Sequence, residues 1–110
     1  MAEETTGKVA QEADKVDLRK DNDSVIFVGN KPLVNYIRGV IIQFNKWNAP
    51  EVTIKSRGKF ISKAVDVAEV SRRTLQAKGV KIKGISISSE SFESEGKRTN
   101  ISTMDIVLSA

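Results

Sequence analysis

The chain has 110 residues, 39% apolar and 29% charged, and contains neither histidine nor cysteine. That length closes one modest two-layer core, and no apolar run approaches the roughly 18 residues of a membrane span. Without these two residue types there is no disulfide framework, thiolate zinc site or imidazole base, so most enzyme templates fail, and no metal, cofactor, membrane or small-molecule substrate is expected.

Charge is unevenly distributed. Residues 1–23 hold seven acids against four bases, whereas residues 24–110 hold fourteen bases against seven acids. A polar, acidic segment without apolar periodicity reads as a disordered tail ahead of one basic domain. A net +7 fits either a polyanion-binding surface or an ordinary solvated one. Met1–Gln11 has no apolar h-region, so a cytoplasmic protein is expected.

Order begins near Ser24. Ser24–Val28 is a short apolar run closed by Gly29, as a buried strand should be. Lys31 to about Trp47 follows, with Pro32 in the first helical turn and apolar residues at 33, 34, 37, 40, 41 and 44, which line one helix face. Glu51–Ser56 alternates, with Val52 and Ile54 on the inner face of a strand. Phe60 to about Lys78 is helical again, and Gly79 supplies the stop.

This second helix carries two apolar stripes. Ile61, Ala64, Val65, Ala68 and Leu75 form one, for packing on a sheet; Phe60, Val67 and Val70 lie to the side. One layer cannot cover both, so a partner subunit is expected, with Phe60, Val67, Val70 and Leu75 as its candidate contacts. Val80–Ser88 and Lys97–Leu108 then read as a hairpin with an extended Ser- and Glu-rich tip turning at Gly96.

The expected fold class is α/β: a two-layer sandwich of order β-α-β-α-β-β, with a four-stranded mixed sheet and two helices on one face. A right-handed first β-α-β unit makes its two strands parallel and puts the turns after them at the same end of the sheet. Those turns are V-G-N-K-P (28–32) and K-S-R-G-K (55–59), each opening a helix whose free N–H groups and dipole favour an anion. Lys31, Asn35 and Arg38 share a helix face that extends this surface. Neither turn carries a G-x-G-x-x-G or Walker pattern. An intrahelical Lys63–Asp66 pair is the plain structural reading of those two residues. Arg72 and Arg73 are read as solvated or as partners of the helix C-terminus. An enzymatic reading would rest on Lys55, Lys63 and Asp66, and a protein-interaction module would leave the basic patch incidental. Lys97 and Arg98 sit near the tip of a ribbon able to reach a nucleic-acid groove, beside Glu90, Glu93 and Glu95. The few aromatics form no evident stacking ladder, and Trp47 reads as a staple of a helix end.

The segments V-G-N-K-P-L-V-N-Y (28–36), I-K-S-R-G-K-F-I-S-K-A-V-D-V-A-E (54–69) and I-S-T-M-D-I-V-L (101–108) strongly resemble the Alba family of small basic archaeal chromatin proteins. The resemblance covers Val25–Leu108. It implies a homodimer that binds double-stranded DNA with little sequence preference and compacts the nucleoid, with RNA as an alternative ligand and pairing with a paralogue as a variant assembly. By position it implies phosphate contacts from Lys31, Arg57, Lys59 and Lys63 around Asn30 and Gly58, and arm contacts from Lys97 and Arg98. Two departures stand out. Asn30 replaces the first lysine of the usual pair, a site of acetylation in relatives, and Thr74-Leu75 stands where many relatives have a phenylalanine that joins dimers along DNA.

Overall fold

The computed structural model describes residues 24–110; the expected acidic tail, residues 1–23, lies outside the described residues. The elements are β1 (Val25–Phe27), α1 (Leu33–Asn45), β2 (Glu51–Arg57), a 3-10 turn (Gly58–Phe60), α2 (Ile61–Thr74), a second 3-10 turn (Gln76–Lys78), β3 (Lys81–Ser94) and β4 (Lys97–Ser109). The sheet order is β1-β2-β4-β3. β1 runs parallel to β2, and the other two pairings are antiparallel. This is the expected mixed α/β sheet, with the crossover through α1 making the parallel pair.

β2 organises the core. Its alternation buries Val52, Ile54 and Ser56, which lie opposite Leu108, Ile106 and Met104 of β4. The helices cover that face with Val40 and Phe44 from α1 and Ala64, Val67 and Ala68 from α2, all buried. Each large apolar side chain so buried contributes roughly 1.5–3 kcal/mol.

Two expectations about α2 need correction. Val67 is fully buried while Val65 stays 45% exposed, so the inner stripe runs through Ala64, Val67, Ala68, Ser71 and Leu75. Ser71 has no exposed surface, and its hydroxyl finds no hydrogen-bond partner among the described residues. The helical stretch is also not one continuous rod. A 3-10 turn precedes α2, and another follows it before Gly79.

The hairpin differs more. The Ser- and Glu-rich segment is no loose tip: β3 stays paired with β4 out to Ser94↔Lys97. Only Glu95 and Gly96 form the turn, both with positive φ (53° and 78°), the pattern of a two-residue hairpin connection that keeps the strands' twist. β2 pairs with β4 only as far as Arg57↔Thr103. Beyond that point β3 and β4 continue as a two-stranded arm. Near its start β3 carries an extra residue, with the register stepping from Ile82↔Leu108 to Gly84↔Val107.

Candidate nucleic-acid interface

Parallel pairing places the ends of β1 and β2 together, and the Val28 N–H donates to Lys55 O at 2.9 Å. The two basic turns therefore stand side by side. The arm leaves the sheet from the same end, beyond Arg57.

The first turn is tied from within. The Tyr36 hydroxyl, one turn inside α1, accepts the N–H of Gly29 at 2.9 Å and that of Lys31 at 3.0 Å. From α2, the Lys63 ammonium donates to Gly29 O at 2.8 Å and to Lys31 O, and it lies 5.5 Å from the centre of the Tyr36 ring. The expected Lys63–Asp66 pair does not form among the described residues. Three carbonyl and ring acceptors outcompete one exposed carboxylate because they converge on a single point. Lys63 thus holds the turn and adds positive potential there, with most of its donors already engaged. The N–H groups of Gly29 and Lys31, expected to be open for an anion, are likewise occupied.

What the first turn presents outward is side chains. Asn30, Lys31, Asn35 and Arg38 are all exposed. α1 has neither a side-chain cap nor an acidic residue in its first turn.

The second turn is more open. Gly58 has φ +57°, a left-handed conformation that favours glycine. A Cβ there would come within 3.6 Å of Ile101 on the arm. Arg57, Gly58 and Lys59 are exposed, and Lys59 Nζ lies 5.4 Å from the centre of the Phe60 ring. Arg57 donates to Glu90 of β3 at 3.1 Å, with both side chains more than half exposed. Such a pair is worth about 0–1 kcal/mol, little enough for another anion to replace it. Again no carboxylate lies in the first turn of α2, so both helix starts favour negative charge.

Lys97 and Arg98 are exposed at the arm's tip, opposite Ser94 and Glu93. The three residues of an enzymatic reading do not converge. Lys55 pairs with Asp105 at 2.8 Å on the sheet face away from the helices, Lys63 is engaged at the first turn, and Asp66 is exposed on α2. Arg72 hydrogen-bonds Glu69 and thereby holds that carboxyl below its ordinary pKa. Trp47 sits 37% exposed just past α1, with the Lys46 ammonium 5.2 Å from its ring centre.

The profile of the Alba family matches residues 24–89. The DNA/RNA-binding protein Alba of Methanothrix thermoacetophila is 50% identical over 86 residues, covering 78% of this chain and 94% of the relative.

The chain belongs to the Alba family.

A second Alba, the DNA/RNA-binding protein of Methanocella arvoryzae, is 51% identical over 87 residues, covering 78% of this chain and 88% of the relative. The solved structure of Alba from Thermoplasma volcanium superposes with a TM-score of 0.70 at 44% identity, covering 78% of this chain and 99% of that one. A structure of ALBA1 from Trypanosoma brucei shares the fold, with a TM-score of 0.57 at 20% identity over 78% of this chain and 68% of that one.

Within this Alba fold, the four candidate subunit contacts separate. Val67 and Leu75 are core residues of the single chain, whereas Phe60 and Val70 remain half-buried. Sequence reasoning missed Ile85 and Ile87, which are 57% and 75% exposed. They lie opposite Ile106 and Met104, so they point to the helix side of the sheet, on an edge strand. Apolar alternation in β3 was the available signal, but it reads equally as core. Tyr36 and Glu90 were also missed as partners of the turns, because both act across tertiary contacts.

Proposed function

We propose that this protein is a homodimeric architectural protein that coats double-stranded DNA with little sequence preference and is associated with the chromosome. The observation that carries the reading is the adjacency of the two basic strand-to-helix turns, with Lys31, Arg57 and Lys59 exposed around two uncapped helix starts and Arg38 extending the patch. The arm projects from the same end and carries Lys97 and Arg98 towards a groove. These groups address phosphates and backbone shape, which carry no base sequence. The names of the archaeal relatives, DNA/RNA-binding proteins, support the nucleic-acid class. Nothing in this chemistry calls for catalysis.

Neutralising about eight phosphates per dimer predicts a log–log salt slope near −7 on B-DNA. Fluorescence anisotropy of unrelated duplexes across salt concentrations measures it. A slope near zero, or strong preference for one duplex, would overturn the proposal. Structured RNA is the second reading, and competition between it and duplex DNA at equal salt ranks the two.

The second copy is proposed to cover Ile85, Ile87 and Val65 together with the half-buried Phe60 and Val70, since this apolar group has no covering layer among the described residues. Ile87→Asp should give a monomer in sedimentation velocity, with its fold intact by circular dichroism. A dimer that survives this change would place the interface elsewhere.

A further inference from the structure

The sheet face turned away from the helices holds features that a duplex-coating surface does not require. Phe27 is 71% exposed at the end of β1, in register with Lys55 of β2, whose amine pairs with Asp105. Next along β2 on the same face comes Arg57, paired with Glu90. Beyond it, on the arm, Phe92 is 45% exposed. Two adjoining hollows of about 560 and 580 Å³ run along this line and share Arg57 and Glu90. Together they form one trough with an aromatic ring at each end and cations between.

We infer that this trough is a binding site for a single-stranded nucleic-acid segment, whose bases stack on Phe27 and Phe92 while its phosphates displace the carboxylates from Lys55 and Arg57. Every base has a flat face, and an exposed ring in a basic groove captures it without regard to sequence. Phe27 is level with Lys55 and Asp105, and Phe92 with Thr99 six residues further along β4; about 20 Å along the strands and three strand spacings across put the two positions about 25 Å apart. That span suits a short extended strand of a few nucleotides, stacked at its ends as bases are on the aromatic sheet faces of RNA-binding modules. The Arg57–Glu90 pair is solvent-exposed and weak enough to open for a phosphate, whereas the Lys55–Asp105 pair is partly buried and opens at a greater cost. The proposed subunit interface uses the other face of β3 and meets the trough only at Phe60, which lines the edge of the first hollow. The inference rests on the nucleic-acid reading above and assigns a second ligand to a neighbouring face, which shares Arg57 with the duplex surface.

The test uses the full chain and a labelled unstructured RNA of about a dozen nucleotides, beside an abasic strand of equal length and a duplex DNA. The base-bearing strand should bind roughly tenfold tighter than the abasic one. Phe27→Leu and Phe92→Leu should each remove most of that advantage, Phe27→Tyr should keep it, and duplex affinity should stay within about twofold. Equal binding of base-bearing and abasic strands would overturn the inference, as would leucine variants that bind RNA like the wild type. A parallel loss on duplex DNA would assign the rings to the duplex surface instead. If Phe27→Leu changed only the sedimenting mass, the trough would be a protein contact. Failure to bind duplex DNA, with the single-strand results intact, would sink the proposed function and leave the trough standing.

Discussion

The two turns that open the helices are similar in sequence and opposite in construction. The first is closed on itself: Tyr36 takes its N–H groups and Lys63 takes its carbonyls. The second is held from outside by Glu90 on Arg57, with Ile101 standing where a Cβ on Gly58 would point. One cation near the first turn is therefore a structural clamp, whereas the cation of the second is tethered loosely enough to change partners. Counting lysines and arginines in a sequence treats the two alike, and the comparison shows why it should not.

The largest effect should come from the second turn. Arg57→Glu replaces an exchangeable cation by a fixed anion in both subunits, and duplex affinity should fall by about 10–100-fold for every sequence alike, with the salt slope shallower by roughly two. A loss confined to one duplex, seen by anisotropy, would break the comparison. Next, Tyr36→Phe removes the shared acceptor of the first turn and should cost about 1–2 kcal/mol, or roughly 5–10 °C in thermal midpoint for a domain of this size. Its duplex affinity below that midpoint should change by less than about threefold. If affinity instead fell as far as with Arg57→Glu, the first turn would be a contact and not a clamp. Smallest is Glu90→Gln, which frees Arg57 from its competitor. Affinity should rise by about two- to threefold at low salt, consistent with an exposed pair, and a decrease would mean that Glu90 orients Arg57 rather than restraining it.

Much of the fold was legible because its signals are local. The period of α1, the alternation of β2 and the glycine stops all survive folding, and crossover handedness then places the two turns together. What escaped was set by tertiary context. Ser71 occupies the buried stripe of α2, and a polar residue there disguises the true phase, so Val65 was favoured over Val67. The segment Ser89–Ser94 has no apolar alternation of its own; it is a strand because β4 lies beside it. Val67 and Leu75 looked available to a partner for want of knowing where the sheet would press. The nature of the site was clearer than its wiring: the basic turns were visible, but the roles of Tyr36, Lys63 and Glu90 depend on partners between 5 and 34 positions away.

The additional residue near the start of β3 has a consequence for everything beyond it. In a pleated strand, odd and even positions look in opposite directions, and one inserted residue reverses that parity for the rest of the strand. Were Lys83 itself paired opposite Val107 in a regular ladder, the same sequence would turn the arm inside out, sending Glu90 and Phe92 towards the helices and Ile85 and Ile87 to the opposite side. Deleting Lys83, by contrast, keeps every later pair and its facing. A single irregular position thus decides which way two separate surfaces face, although it belongs to neither.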